Sequence, residues 1–287
     1  MSVNPIFDQY GPALADALQA NVKAAIAEDV GSGDWTGMLV PADKLAHARV
    51  IVREQAVLCG SPWFEACMRA VDDRLRVRWL QREGDRMEAD SVVCEIEGPA
   101  RSLLTAERPS LNFLQLLSGV ATATRRYADL VQGTRARVLD TRKTLPGLRL
   151  AQKYAVKVGG GDNQRLALYD GILIKENHIA AAGGITAALR AADALGAGVP
   201  VQVEVESLAE LEEALAAGAV SILLDNFTEP MMRDAVRINR ERAVLEVSGG
   251  VNADTIRRFA QTGVDRISVG ALTKDVRATD YSLRIVG

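Results

Sequence analysis

The sequence predicts an α/β protein with an N-terminal α+β part and a C-terminal β/α barrel. Three observations predict this fold class. Short apolar strands alternate with capped helices after about residue 138, polar or glycine residues end these strands at nearly constant intervals, and no Gly-x-Gly-x-x-Gly turn follows a strand. Strands that alternate with helices pair in parallel, and the missing turn argues against a dinucleotide-binding sheet. We therefore expect the strands to close into a barrel.

Composition limits the class of protein and its partners. The 287 residues are 48% hydrophobic and 25% charged, which suits one large or two unequal globular domains. A net charge of -3 provides no broad basic surface, so neither nucleic acid nor a membrane is the expected partner. Three cysteines without CxxC spacing predict reduced thiols, and two histidines exclude a multi-histidine metal site. Because the N-terminus has no basic-then-apolar signal segment, we expect a cytoplasmic protein.

The N-terminal part predicts two helices and a region of strands between them. Apolar residues at every fourth position from Leu14 to Ile26 predict a helix that ends near residues 28–34. From about 46 to 97 the pattern has period two, as in a sheet with one face in water. Helical spacing returns over Thr105–Gln132, where Pro109 fits the first turn after a Thr105 cap. The domains that we predict are 1–117, 118–273 and a tail, 274–287.

The clearest strand–helix unit of the barrel begins at Val201. A strand over residues 201–206 leads into a helix with Ser207 as the N-cap, Glu210 at the capping-box position and Gly218 after the end. The following units have the same plan. They are a strand over 221–226 before a helix from about Glu229, a strand over 243–248 before a helix from Asn252 to Gly263, and a strand over 264–270.

Functional residues of a β/α barrel lie at the C-terminal ends of the strands, where the loops form the mouth. Every predicted strand end in this chain is polar, charged or glycine. The steps between the last five ends, from Lys175 onward, are 29, 21, 23 and 22 residues, which matches one βα unit per step. The strand ends carry Arg142 with Lys143, Lys175, Glu204 with Glu206, Asp225, the turn Ser248-Gly249-Gly250, and Gly270.

The strand of the clearest unit carries acidic side chains on the face that would line the barrel. Period two places its valines against the helices and Gln202, Glu204 and Glu206 inside. A buried carboxylate is unfavourable unless it is paired or binds a metal ion, so we expect Lys143 or Lys175 beside it. Two simpler interpretations stay open: Glu206 only starts the next helix, and Glu204 only forms a structural ion pair.

Positive charge is concentrated between residues 142 and 175, a segment that contains seven Lys and Arg residues but only two Asp residues. In an acidic protein this concentration predicts a local site for a polyanion. Arg149, Lys153 and Lys157 are four residues apart and suit an exposed helix stripe. The remaining four cations are Arg142, Lys143, Arg165 and Lys175.

Two glycine turns follow the last predicted strands, just before helix starts: Ser248-Gly249-Gly250 and the turn at Gly270. Backbone N–H groups and the helix dipole favour phosphate at such positions. Together with the cations, these turns predict a ligand that carries phosphates and carboxylates. Glu204 and Asp225 are the candidate ligands for Mg2+ on a pyrophosphate, directly or through water.

Five strings of the sequence carry a recognisable pattern: Glu-Asp-Val-Gly-Ser-Gly-Asp (28–34), Asp-Thr-Arg-Lys-Thr-Leu-Pro-Gly (140–147), Leu-Ile-Lys-Glu-Asn-His (173–178), Leu-Asp-Asn (224–226) and Ser-Gly-Gly (248–250). In order and spacing, over nearly the whole chain, these strings resemble the quinolinate phosphoribosyltransferase family. The resemblance implies an N-terminal α/β sandwich domain, an irregular TIM-like β/α barrel, and a tail that returns to the sandwich. It also implies a homodimer whose active sites take residues from the partner's N-terminal domain.

The resemblance implies quinolinate and phosphoribosyl pyrophosphate as substrates, with nicotinate mononucleotide, pyrophosphate and CO2 as products. Arg142 and Arg165, with Arg108 of the partner subunit, would hold the two carboxylates of quinolinate. Thr141 and Gln164 belong to the same implied binding set. The implied catalytic residues come next. Lys143 and Lys175 would bind the phosphates, Glu204 and Asp225 would face the ribose hydroxyls and Mg2+, and the turns at Ser248, Gly249, Gly250 and Gly270 would bind the 5′-phosphate.

One position departs from the family pattern. Family members commonly have Asn-His-Arg where this chain has Asn163-Gln164-Arg165. Gln164 can donate a neutral hydrogen bond but supplies neither positive charge nor a proton. A related phosphoribosyltransferase acting on nicotinate or another carboxylated ring therefore stays open, as do a structural and a functional role for His178. More distant alternatives are a barrel aldolase with Lys143 or Lys175 as Schiff-base nucleophile, and a non-catalytic phosphate sensor.

Overall fold

A computed structural model describes residues 5–286. The helices are α1 (Pro5–Asp8), α2 (Pro12–Val30), α3 (Ser61–Val71), α4 (Ala100–Leu130), α5 (Arg149–Val158), α6 (Glu176–Ala182), α7 (Ile185–Ala194), α8 (Leu208–Ala216), α9 (Glu229–Asn239), α10 (Ile256–Ala260) and α11 (Ala271–Lys274), with a 3-10 turn at Gly37–Leu39. The strands are β1 (Leu45–Val52), β2 (Ala56–Val57), β3 (Arg76–Trp79), β4 (Arg86–Met87), β5 (Val92–Pro99), β6 (Arg137–Leu139), β7 (Ile172–Ile174), β8 (Val201–Val205), β9 (Ser221–Asp225), β10 (Val244–Ser248), β11 (Arg266–Ser268) and β12 (Tyr281–Val286).

The chain divides into two compact units, each made of several segments. The first consists of Met1–Arg125, Thr144–Gly160 and Thr273–Gly287. Its main sheet is antiparallel with the order β12-β1-β5-β3, so the C-terminal tail pairs along β1. Apolar residues of this sheet, α3 and α4 form its buried core. Each unit combines segments that are separated in the chain, whereas the predicted domains are continuous. The predicted boundaries after residues 117 and 273 therefore stay a prediction.

The N-terminal helix and the strand alternation are confirmed, but one helix was missed. In α2, Leu14, Leu18 and Val22 are buried as the spacing predicted. In and just before β3, apolar residues alternate with exposed arginines. The prediction of period two throughout 46–97 is wrong at α3, whose first turn contains Pro62. Its buried residues at positions 63, 64, 67 and 68 have helical spacing.

The prediction that Thr105 caps a helix is wrong. Helix α4 begins five residues earlier, at Ala100, and Pro109 lies in its interior. The Thr105 hydroxyl instead donates to Asp34 Oδ2 at 2.7 Å, and Asp34 Oδ1 accepts from the Gly37 N–H at 2.8 Å. The Gly37 N–H and then the Thr105 hydroxyl lower the pKa of Asp34. The Thr105 hydroxyl, which the local pattern predicted to cap a helix, therefore binds Asp34, a residue distant in sequence.

The exposed stripe predicted from Arg149, Lys153 and Lys157 is also wrong. These residues lie in α5, which belongs to the first unit, and most of this helix is buried. Lys153 is 0% exposed, and Lys157 is half-buried. A spacing of four places the three cations on one helix face, but it does not decide whether that face meets solvent.

Gly119 allows the tail to pass close to α4 within the first unit. A Cβ at this position would overlap the carbonyl oxygen of Arg277. We expect Gly119→Ala to lower the free energy of unfolding by roughly 1–3 kcal/mol, because either the tail or the helix must shift. Urea denaturation is the measurement, with Asn112→Ala at an exposed position of the same helix as the control. Equal stability of the two variants would contradict this close packing.

The second unit, Arg126–Lys143 with Gly161–Leu272, contains a six-stranded parallel sheet. Its order is β6-β11-β10-β9-β8-β7, and an isolated bridge joins Leu139 to Asp162 at the outer edge of β6. Within residues 5–286 no strand ladder joins β6 to β7, so the β/α barrel is irregular. The same residues include no helix that is long and apolar enough to cross a membrane.

The predicted strand–helix units of the barrel are confirmed, with one shifted start. The Ser207 hydroxyl accepts from the Glu210 N–H at 3.2 Å at the start of α8. Helix α10 begins at Ile256, later than predicted, because Asn252 Oδ1 accepts the N–H groups of Asp254 and Thr255 and caps a preceding turn. Local capping signals were therefore sufficient to locate the strand–helix units, but they were less reliable for the first and last residues of the helices.

Candidate active site

The C-terminal ends of the parallel strands bring the predicted polar residues to one edge of the sheet. Asp225 ends β9 opposite Ser248, which ends β10. Glu204 lies in β8, and Lys175 directly follows β7. Parallel strands point in the same direction, so these side chains share the edge at which the loops of a β/α barrel form a site.

Lys175 and Glu204 form an ion pair at this edge. Lys175 Nζ lies 2.9 Å from Glu204 Oε2 and 3.3 Å from Oε1. Glu204 is only 8% exposed, whereas the Lys175 side chain is 44% exposed. The lysine therefore compensates a buried carboxylate while its ammonium group stays accessible to a ligand.

Two residues near this pair have structural contacts that explain them. Glu206 is exposed, and its backbone N–H donates to Glu210 Oε2 at 2.6 Å, which supports the interpretation that it starts α8. His178 Nδ1 accepts the Lys175 N–H at 3.0 Å and closes the start of α6. This contact orients the backbone at Lys175, the residue whose side chain reaches Glu204.

Asn226 joins the ends of β9 and β10, and sequence reasoning did not single it out. Its backbone N–H donates to the Ser248 carbonyl at 3.0 Å, and its Nδ2 donates to Asp225 Oδ2 at 2.8 Å. Gly249 has φ +91°, and a Cβ there would overlap Asn226 Oδ1. Only glycine fits this turn, because any side chain at position 249 would meet Asn226.

The loops after β6 and β11 also converge. These strands pair in parallel, and the Lys143 N–H donates to Thr141 Oγ1 at 3.1 Å. A Cβ at Gly270 would lie 3.3 Å from Lys143 Cδ and 3.7 Å from Thr141 Oγ1. Thr141, Lys143 and Gly270 are therefore neighbours, and their predicted roles in substrate binding stay a prediction.

The positive charge of Arg142 acts on Arg165 within the second unit. Arg165 Nη1 donates to the Gly171 carbonyl at 2.9 Å. Burial, and then the positive charge of Arg142, lower the pKa of Arg165. An arginine on which a second positive charge acts favours a ligand with more than one negative charge.

Gln164 is held at both its backbone and its side chain. Its N–H donates to Oδ1 of the buried Asp140 at 2.9 Å, and Asn163 Nδ2 donates to Asp140 Oδ2 at 2.7 Å. Gln164 Nε2 donates to Gln202 Oε1 at 2.8 Å. Gln202 Nε2 donates to Glu246 Oε2 at 3.0 Å, and the Ser268 hydroxyl donates to Glu246 Oε1. Sequence reasoning placed Gln202 inside the barrel but missed the roles of Asp140, Glu246 and Ser268.

Arg108 lies on α4, in the first unit, and its side chain is exposed. Its predicted contact with a substrate in another subunit stays a prediction. The same holds for Mg2+: within residues 5–286 no three His, Cys, Asp or Glu side chains are grouped to hold a metal ion.

Comparison with known proteins identifies the family. The quinolinate phosphoribosyl transferase N-terminal domain matches residues 34–118, and its C-terminal domain matches residues 120–284. A probable nicotinate-nucleotide pyrophosphorylase (carboxylating) of Bacillus subtilis is 38% identical, over 90% of each chain. The nicotinate-nucleotide pyrophosphorylase (carboxylating) of Mycobacterium leprae is 41% identical, over 93% of this chain and 97% of the relative.

Solved structures agree with the sequence relatives. The nicotinate-nucleotide pyrophosphorylase from Francisella tularensis has a TM-score of 0.91 and 43% identity, covering 94% of this chain and 96% of that one. The enzyme of the same name from Ehrlichia chaffeensis has a TM-score of 0.89 and 34% identity over 100% of both chains. These matches span both units and the strings that carry the site. The chain belongs to the quinolinate phosphoribosyltransferase family.

Proposed function

We propose that the protein transfers the phosphoribosyl group of phosphoribosyl pyrophosphate to the ring nitrogen of quinolinate, with decarboxylation. The products are nicotinate mononucleotide, pyrophosphate and CO2, a step of NAD biosynthesis. The observation that carries this proposal is the pair of like-charged side chains, Arg142 and Arg165, in the unit that also holds the Lys175–Glu204 pair. The arginines suit a dicarboxylate, and the strand-end lysines and glycine turns suit a phosphorylated sugar.

The chemistry follows from the charges at the strand ends. Departure of pyrophosphate leaves an oxocarbenium-like centre, which the carboxylates of Glu204 and Asp225 stabilise. Lys143 and Lys175 stabilise the negative charge that develops on the leaving group. The pyridine nitrogen then attacks and becomes positively charged. This charge stabilises the electron pair that stays on the adjacent carbon when CO2 leaves, and that carbon then takes a proton from water to give nicotinate mononucleotide. This mechanism needs no Schiff base, which an aldolase would use. Family membership also favours a transferase over an aldolase or a phosphate sensor.

Mg2+ is proposed as the cofactor. This ion is usually held by one or two carboxylates, water and substrate phosphates, and rarely by a complete cage of protein ligands. Asp225 and Glu204 fit that mode, since Glu204 already shares its charge with Lys175 and both residues lie at neighbouring strands. They would hold the ion directly or through water, and the ion would neutralise pyrophosphate charge.

A homodimer with shared active sites is the proposed assembly. Arg108 is exposed on α4 of the first unit and is available to a second chain. Trp35 and Leu39, in the same unit, are 77% and 82% exposed, which is typical of residues that a partner covers.

We place the protein in the cytoplasm, in keeping with three free, buried cysteines. Burial raises the pKa of the Cys67 thiol to about 12, so this thiol is unreactive.

Gln164 is the observation that favours a second candidate, a phosphoribosyltransferase for nicotinate. The human nicotinic acid phosphoribosyltransferase has a TM-score of 0.62 at 16% identity, a likeness that shows the fold alone. One neutral donor in place of a cation suits a ring with one carboxylate better than a dicarboxylate. The paired arginines favour quinolinate.

One assay separates these candidates. Purified protein is supplied with phosphoribosyl pyrophosphate, Mg2+ and either quinolinate or nicotinate, and pyrophosphate and CO2 are measured together. We expect equal release of both products with quinolinate and neither with nicotinate. Pyrophosphate release with nicotinate alone would make the second candidate correct, and release with neither ring would contradict both.

A further inference from the structure

We propose that Gln202, Glu246 and Ser268 form a relay that positions the Gln164 amide for a carboxylate of the substrate ring. This inference rests on the proposed function, which places Gln164 in the ring-binding set. The three relay residues lie on β8, β10 and β11 and follow Gln164 through consecutive hydrogen bonds. They do not belong to the predicted substrate-binding set and act only through Gln164.

The Glu246 carboxylate, which lies between Gln202 and Ser268, determines the direction of every hydrogen bond in the relay. Glu246 accepts on both oxygens, from the Ser268 hydroxyl on one and from the Gln202 NH2 group on the other. The carbonyl oxygen of Gln202 must then face Gln164. Gln164 must then donate from its own NH2 group, and its Nε2 lies 2.8 Å from Gln202 Oε1. Without the carboxylate, each amide could turn by 180° and still make hydrogen bonds.

Burial makes this arrangement rigid. Glu246 is 1% exposed, and Gln202 and Ser268 are also buried. A buried polar group that loses its partner is strongly unfavourable, so the relay residues keep one set of partners. A carboxylate held by neutral donors inside a barrel is a poor way to gain stability. Its effect on amide direction gives it a role in the site.

Gln164 is the point at which the relay meets the ligand-binding region. Asp140 accepts its backbone N–H and so holds the backbone in place, and Gln202 accepts its Nε2 and so holds the end of the side chain. Arg165 follows directly in sequence, and its guanidinium lies within electrostatic reach of Arg142. An amide of fixed direction beside two arginines can distinguish the oxygens of a carboxylate from an uncharged ring edge.

The test compares steady-state parameters of Glu246→Gln with those of the unaltered protein. The substituted amide has nearly the same shape as the carboxylate but presents both a donor and an acceptor, so amide direction is no longer imposed. We expect KM for quinolinate to rise about 3- to 10-fold, the effect of one misdirected neutral hydrogen bond. KM for phosphoribosyl pyrophosphate and kcat should stay within about twofold. Ser268→Ala should act in the same direction.

A double-mutant cycle with Gln164→Leu decides whether the effect passes through Gln164. If it does, Glu246→Gln adds no further rise in KM in the Gln164→Leu background. Asn239→Ala is the matched control, because Asn239 is a buried polar residue of the same unit, bonded to Ala243. It should lower stability without changing KM for quinolinate.

Each outcome has a distinct meaning. Additive changes in the cycle, or an unchanged KM in Glu246→Gln, would overturn the relay while leaving the proposed function intact. Absence of quinolinate turnover by the unaltered protein would instead overturn the proposed function. A rise in KM for quinolinate in Asn239→Ala would show that general destabilisation produces the effect, and would also overturn the relay.

Discussion

Replacing Lys175 with methionine is expected to lower kcat/KM for phosphoribosyl pyrophosphate by about 10²- to 10³-fold, the range for loss of one preorganised group that stabilises developing charge. Lys175 is the accessible partner of a buried carboxylate, 2.9 Å from Glu204 Oε2. Methionine removes the charge that would meet the phosphates. It also leaves Glu204 unpaired, which disfavours an arriving pyrophosphate by like-charge repulsion. Initial rates at varied phosphoribosyl pyrophosphate are the measurement.

Stability separates the two effects of this substitution. Lys175→Met should also lower the free energy of unfolding, because it removes the partner of a carboxylate that is 8% exposed. Adding Glu204→Gln should restore much of that stability but none of the activity, since the leaving group still lacks its cation. Lys175→Arg keeps the charge and is the matched control. Near-normal kcat/KM in Lys175→Met would remove this residue from the proposed mechanism.

Mixing two inactive variants, Arg108→Ala and Lys143→Ala, is expected to restore about a quarter of the activity of the unaltered protein. In the proposed homodimer each site combines the barrel of one chain with Arg108 of the partner subunit. Random reassortment makes about half of the dimers mixed, and each mixed dimer has one site without either substitution. The mixture is refolded or co-expressed before quinolinate turnover is measured.

A second mixture tests whether restoration depends on sharing between chains. Lys143→Ala and Lys175→Ala both alter the barrel, so every site in their mixed dimers carries one substitution and no activity should return. Restoration in both mixtures would point to contamination or exchange unrelated to site sharing. If Arg108→Ala and Lys143→Ala together stay inactive although mixed dimers form, Arg108 does not act across subunits.

Local signals predicted the barrel elements because each signal acts within a few residues. Ser207 caps α8 by accepting the Glu210 N–H three positions later, and any fold that contains this helix keeps that contact. The same kind of reasoning failed at Thr105, whose hydroxyl binds Asp34. It failed again at Lys153, where helical spacing located the face correctly but the helix is packed on nearly all sides. At Thr105 the deciding partner, Asp34, is 71 positions away in sequence.

The candidate site shows the same division. Strand-end position was enough to single out Lys175, Glu204, Asp225 and the turn at Ser248 before their geometry was known. It did not find Asn226, which acts by joining two neighbouring strand ends. Asn follows Asp225 in one of the strings that carried the family resemblance, and that string was the available signal.

The sequence by itself determined the alternation of strands and helices, the family, and the polar residues that follow the strands. Those properties depend on periodicity, caps and motif spacing, which are local. Only the tertiary structure decided that Lys175 pairs with Glu204, that residues 144–160 belong to the first unit, and that Gln164 leads through Gln202 to Glu246. The three side-chain contacts join residues 29, 38 and 44 positions apart, and side-chain hydrogen bonding over such separations is set by strand order and register. Neither can be derived from the spacing of residues along one strand.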